Sequence, residues 1–130
     1  MFVRDLARCK TITAVDNSQL KEFISPLRDS LSLPYSLAHA RVKAGQTTRL
    51  HSLKSAELYV ILEGRGKIFI DDEERVVGKG QAVLIPPYCR QKIKNIGRKP
   101  LVFFCIVSPP WKKEDEEIRP IRRWRKNSRI

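Results

Sequence analysis

The feature that most constrains the fold of this chain is a run of short apolar segments between residues 35 and 110, most of them closed by glycine or proline. These segments are rich in β-branched and aromatic residues, the composition typical of strands. The strands predicted in this way cover residues 36–43, 49–53, 57–63, 67–71, 75–77, 82–85, 91–96 and 101–107. Eight or nine short strands at such spacing predict an antiparallel barrel or sandwich.

The chain length of 130 residues suits a single domain. We expect an N-terminal strand and helix segment at 1–34 that packs on the barrel, the barrel itself at 35–110, and a charged tail at 111–130. Within the first segment, residues 17–24 are predicted to form a short helix. Ser18 is placed to cap it and Glu22 lies in its first turn.

The net charge of +12 is concentrated at the C-terminus. Six basic residues fall in positions 118–130, which leaves about +6 on the rest of the chain. Such an excess attracts polyanions. A nucleic-acid partner is not favoured, because base-reading proteins usually show a recognition helix or aromatic residues interleaved on a basic sheet. Only Trp124 lies within the basic run of the tail.

The expected compartment is the cytoplasm. The three cysteines, Cys9, Cys89 and Cys105, are an odd number without a pairing pattern, which favours free thiols over a disulfide framework. The N-terminus has no apolar region of the kind found in secretory signals. No apolar run is long enough to span a bilayer, so no membrane association is expected.

Two spaced patterns carry the functional information. The first is Gly45-x5-His51-x-Leu53-x3-Glu57-x6-Gly64. In the second pattern, Gly80, Pro86, Gln91 and Asn95 follow one another with five, four and three residues between them.

Together these patterns resemble the two motifs of the cupin family, over roughly residues 35–107. The resemblance implies an all-β, single-domain cupin barrel of the jelly-roll type, with a metal or small ligand in the barrel mouth. His51 and Glu57 match a histidine ligand and the acidic ligand of metal-binding members. Leu53 and Gln91 stand where the family usually has histidines, and Tyr88 replaces a glycine of the second motif.

The resemblance implies a divalent metal, such as Fe, Mn, Ni or Zn, held by His51, Glu57 and Gln91. Leu53 cannot bind a metal, and the amide oxygen of Gln91 is a poor ligand beside imidazole. Two alternatives stay open at this point. The three polar side chains could hydrogen-bond one another without a metal, or they could bind an organic ligand directly.

The apolar part of the pocket follows from strand alternation, since every second residue shares a face. Leu53 and Tyr59 should point inward with His51 and Glu57, and similar cupins direct the face of Phe103 and Cys105 into the pocket. By the same alternation His39 should point outward, to the surface or to a dimer interface.

Three functions are consistent with these residues. The first is a metal-dependent isomerase, lyase or dioxygenase acting on a small polar molecule, although catalysis itself is not established by the sequence. The second is a non-catalytic module that binds a small metabolite without metal. The third is polyanion binding through the basic tail. Similar small cupins commonly form homodimers, and we expect one here, since pairing would cover an exposed sheet edge.

Overall fold

The structure, a computed structural model, describes residues 1–118, and its regular secondary structure is almost entirely antiparallel strand. Two 3₁₀ turns, at Leu6–Arg8 and Lys113–Asp115, and one α-helical turn, at Pro26–Asp29, are the helical elements of this part of the chain. The eleven strands are β1 (Ile12–Thr13), β2 (Gln19–Ile24), β3 (Ser36–Val42), β4 (His51–Leu53), β5 (Ala56–Glu63), β6 (Arg65–Ile70), β7 (Glu73–Gly78), β8 (Ala82–Ile85), β9 (Gln91–Asn95), β10 (Leu101–Ser108) and β11 (Glu116–Ile118).

The strands form two facing sheets, as expected for a jelly-roll barrel. One has six strands in the order β1-β2-β3-β10-β5-β8, and the other has five in the order β11-β4-β9-β6-β7. The buried apolar side chains of both sheets form one core, which includes Ile61, Ile93, Leu101 and Phe103. The all-β class and the barrel are therefore confirmed. In residues 1–118 no helix is long and apolar enough to cross a membrane.

The helix predicted at residues 17–24 is wrong, because Gln19–Ile24 is strand β2 and pairs with β3. The apolar residues Leu20, Phe23, Ile24 and Leu27 recur with helical spacing, but pairing with a long neighbouring strand overrides that local preference. Both faces of β2 pack against other parts of the protein. Leu20 and Ile24 line the interior, while Phe23 stacks on Phe104 with ring centroids 6.3 Å apart.

Each of the two motifs contains a turn with a positive φ angle. Gly64 has φ +86°, and a Cβ there would lie 2.8 Å from the carbonyl oxygen of Pro100, so a side chain is excluded. Tyr88, which replaces the glycine of the second motif, also adopts a positive φ of 67°. Its backbone N–H donates to the carbonyl of Leu53 over 2.7 Å. The turn therefore keeps the conformation that a glycine would favour.

Candidate functional site

His51 lies at the mouth of the barrel, where the two motifs meet. It begins β4 and stands directly opposite Gln91 of β9. Its side chain is only 4% exposed, and Nδ1 lies 2.7 Å from the carbonyl oxygen of Arg49. A carbonyl can only accept, so Nδ1 carries a proton, and in the neutral ring Nε2 is the acceptor nitrogen. Nε2 takes part in no hydrogen bond with residues 1–118 and faces the cavity of the barrel.

Glu57 and Gln91, the two other predicted ligands, are bound to each other. The amide nitrogen of Gln91 donates to one oxygen of Glu57, and the thiol of Cys105 donates to the other over 3.2 Å. The amide oxygen of Gln91 accepts from the Tyr59 hydroxyl over 2.8 Å. All four side chains are buried. The polar atoms of this network therefore satisfy one another inside the barrel.

Burial changes the pKa values of the ionisable groups in this network. Desolvation raises the pKa of Glu57, while His51 and the hydrogen bonds from Cys105 and Gln91 lower it. Burial also raises the pKa of Tyr59 and of the Cys105 thiol well above their usual values, and the charge of Glu57 adds to both shifts. Because the thiol stays protonated, Cys105 is unsuited to act as a nucleophile.

The predicted metal trio does not fit an ion in this arrangement. Both oxygens of Glu57 and the amide oxygen of Gln91 already accept hydrogen bonds, and Leu53 offers no donor atom. His51 is then the one ligand of the trio with a free donor atom. In residues 1–118 no group of three or more His, Cys, Asp or Glu side chains has the arrangement of a metal site.

The cavity beside His51 has a volume of about 170 Å³ and is lined mainly by apolar side chains. Leu53, Tyr59, Phe103 and Cys105, the predicted pocket residues, all lie in its wall. The rings of Tyr59 and Phe103 are in contact, with centroids 4.4 Å apart. A mainly apolar wall with a few polar groups gathered at one place is typical of small-molecule sites.

Two carboxylates at the site were missed by sequence reasoning. Asp16 comes from the segment before β2 and Glu116 from β11, and their free oxygens lie 3.8 Å and 4.0 Å from His51 Nε2. Burial raises the pKa of Glu116, and the hydrogen bond from the Trp111 indole opposes this. Glu116 pairs in register with Leu53. No motif marks either carboxylate, because both reach the site through pairing of strands remote in sequence.

Two other sequence features lie away from the site. His39 is half-buried on the outer side of the six-stranded sheet, in edge contact with the Phe104 ring at 5.8 Å. Burial lowers the pKa of His39, and the charges of Lys21 and Arg41 lower it further. The basic tail predicted to attract polyanions falls at residues 119–130, outside the described residues.

Comparison with known proteins identifies the family. The model of the cupin domain family matches residues 38–107, more than half of the chain. An uncharacterized protein of Methanocaldococcus jannaschii is 40% identical over 112 residues, which cover 85% of this chain and 89% of that protein.

Solved structures of cupin barrels share the fold. The polyketide cyclase RemF of Streptomyces resistomycificus superposes with a TM-score of 0.73 at 17% identity, covering 88% of this chain and 89% of that one. A predicted oxalate decarboxylase of Thermotoga maritima superposes with a TM-score of 0.72 at 16% identity, covering 83% and 99%. The motif spacing, the two facing sheets and the family match agree, and this chain belongs to the cupin family.

Proposed function

We propose that this cupin binds a small organic molecule in its barrel cavity, with His51 as the main polar contact. The observation that carries the proposal is the buried Nε2 of His51, which faces the cavity and has no hydrogen-bond partner in residues 1–118. A buried polar atom without a partner costs free energy. A bound molecule that donates a hydrogen bond to Nε2 would remove that cost.

The size of the cavity limits the ligand. A cavity of about 150 Å³ is enough to hold benzene, and this one measures about 170 Å³. The ligand is therefore a compact molecule with one apolar body and one polar end. Members of the cupin family bind small molecules, and several structural neighbours of this chain are named as enzymes.

Proton transfer is the reaction that the site supports best. In the neutral ring, Nε2 of His51 can take a proton from a bound molecule, and histidine is the side chain that most often acts as a general base. The nearby carboxylates of Asp16 and Glu116 would stabilise the imidazolium that forms. An isomerase or lyase that needs one base fits this arrangement. A metal-dependent route through His51, Glu57 and Gln91 would first have to break the network that holds Glu57 and Gln91.

A ligand screen against a cavity-filling variant tests the proposal. Ala38 lies in the cavity wall, so Ala38→Leu should occupy part of the space. Ala82→Leu, on the exposed side of β8, is the matched control. We expect compounds that raise the melting temperature of the wild type and of Ala82→Leu, but not of Ala38→Leu. Compounds that stabilise all three proteins equally would place binding outside the cavity and contradict the proposal.

Two predicted partners remain proposals. β8 is an edge of the six-stranded sheet and exposes Leu84, so we propose that this edge pairs in a homodimer. Sedimentation velocity of the wild type and of Leu84→Asp tests this proposal. A variant with the same mass in solution as the wild type would refute it. Polyanion binding through the tail is tested by deleting residues 119–130. Ile118 is kept because it pairs with His51.

A further inference from the structure

The wall of the cavity carries charge of the opposite sign to the whole protein. The chain has a net charge of +12, yet neither lysine nor arginine occurs among the described residues that line the cavity. The charged or titratable lining groups are Asp16, Glu22, His51, Glu57 and Glu116, with the neutral Tyr59 and Cys105. At ordinary ionic strength charges more than about 10 Å away are largely screened, so the local carboxylates dominate the potential inside.

Three acceptor atoms converge at one place in this wall. They are Oδ2 of Asp16, Nε2 of His51 and Oε2 of Glu116, with 3.8 Å and 4.0 Å between Nε2 and the two oxygens. The side chains of the histidine and of Glu116 are 4% and 9% exposed. None of the three atoms has a hydrogen bond to residues 1–118. In the neutral ring the imidazole nitrogen is a third buried acceptor beside the two carboxylates, and in the protonated ring it forms ion pairs with both oxygens.

Each of the three side chains is held in place through its other polar atom. Oδ1 of Asp16 accepts from the backbone and the hydroxyl of Ser18, over 3.0 Å and 2.6 Å. Oε1 of Glu116 accepts from the Trp111 indole over 2.8 Å. Nδ1 of His51 is bound to a backbone carbonyl. The free atoms are thus oriented before any ligand arrives, as in a preorganised site.

The three atoms are spaced too widely to surround a transition metal. Adjacent ligand atoms around a transition metal at about 2.0–2.1 Å lie roughly 3.0–3.4 Å apart. Acceptors placed tetrahedrally around an ammonium nitrogen, at hydrogen-bond distances of about 2.8–3.0 Å, lie roughly 4.6–4.9 Å apart. The observed 3.8 Å and 4.0 Å lie above the first range and below the second, so a small outward rotation of the carboxylates would let the three atoms surround an ammonium group. A primary ammonium also has three N–H donors, one for each acceptor.

We propose that the cavity selects a small primary amine in its protonated form, with the ammonium group at Asp16, His51 and Glu116 and an apolar body against Phe103 and Leu53. This inference rests on the proposed function, since it names the chemical class of the ligand in the same cavity. The aromatic rings in the wall favour a cationic ligand further. The carboxylates, which come from outside the two cupin motifs, supply the selectivity.

The test uses three probes with the same ring and different charge: benzylamine, benzyl alcohol and benzoate. Calorimetric titration of the full-length protein at pH 7.5 and low salt should show benzylamine binding at least tenfold more tightly than benzyl alcohol, and benzoate not binding. Asp16→Asn and Glu116→Gln should each weaken benzylamine at least tenfold and leave benzyl alcohol unchanged. Glu114→Gln, which removes an exposed charge nearby, is the control and should bind as the wild type does.

The other outcomes separate the two proposals. Benzyl alcohol or benzoate binding as tightly as benzylamine, with loss in Ala38→Leu, would overturn the amine inference and leave the cavity function standing. Failure of all three probes overturns the inference, and failure of the ligand screen as well would also remove the proposed function. Stoichiometric zinc or nickel that is lost in Asp16→Asn would make the three side chains a metal site and overturn the inference.

Discussion

Replacing Gln91 by leucine tests whether the buried polar network holds the barrel mouth together. Gln91 is 1% exposed, and its amide links the Glu57 carboxylate to the Tyr59 hydroxyl. Leucine has a similar volume and can form neither bond. The variant therefore removes the two hydrogen bonds with little change in packing.

The size of the effect follows from the groups left behind. A buried hydroxyl without a partner costs about 1–3 kcal/mol, and a lost bond to a charged group about 1.5–3 kcal/mol. The greater hydrophobicity of leucine returns about 1–2 kcal/mol. We expect Gln91→Leu to lower the free energy of unfolding by about 2–4 kcal/mol, a large part of the stability of an ordinary domain.

Urea denaturation followed by circular dichroism at pH 7 measures this change. Gln46→Leu, at an exposed position, is the matched control and should change the stability by less than about 0.5 kcal/mol. Adding Tyr59→Phe to Gln91→Leu removes the stranded hydroxyl, so the double variant should lose less stability than the two single variants together. A loss in Gln91→Leu as small as in the control would refute the network.

Three further predictions follow from the same contacts. Replacing Leu53 and Gln91 together by histidine should add about one equivalent of bound nickel or zinc, measured by elemental analysis, and a variant that binds no more metal than the wild type would contradict the inference that Leu53 and Gln91 weaken metal binding at this site. Because Cys105 is fully buried and burial raises its pKa well above the usual value, iodoacetamide at pH 8 should leave it unmodified in peptide mapping until the protein unfolds. The partly exposed Cys9 and Cys89 should be modified, with Cys89 the slower because partial burial raises its pKa too. The hydrogen bond from a neighbouring arginine lowers the pKa of Asp29, so its stabilisation is present above about pH 4 and is lost as the pH falls. Asp29→Asn should cost about 1–2 kcal/mol at pH 7 and clearly less at pH 2, whereas exposed Asp72→Asn should have little effect at either pH.

The central strands of the barrel could be predicted because their signal is local. In β5 and β10 the alternation places Tyr59 and Phe103 inward, and both are buried. Turns marked by glycine and proline separate these strands in the sequence. The residue types, the alternation of apolar residues and the glycine and proline turns all indicate the same structure there, so no knowledge of distant contacts is needed.

The outer strands could not be predicted from local signals. β2 has a helix-like spacing of apolar residues and becomes a strand only because β3 lies beside it. β11 is an acidic segment of three residues that extends the sheet next to β4. Asp16 lies just before β2 and Glu116 lies in β11, so these two outer strands bring both carboxylates to the site. Their approach to His51 depends on pairings between residues far apart in the chain, which a single sequence does not encode as a motif.

The most direct test of the account is the imidazole ¹⁵N NMR spectrum of His51, recorded with and without the compound that the ligand screen selects. The chain has two histidines, so His39→Gln assigns the signals. We expect a ring with a proton on Nδ1, and an Nε2 resonance that shifts on ligand addition while that of His39 stays unchanged. A ring protonated at Nε2 only, or an Nε2 signal unaffected by saturating ligand, would contradict the assignment of His51 as the ligand contact.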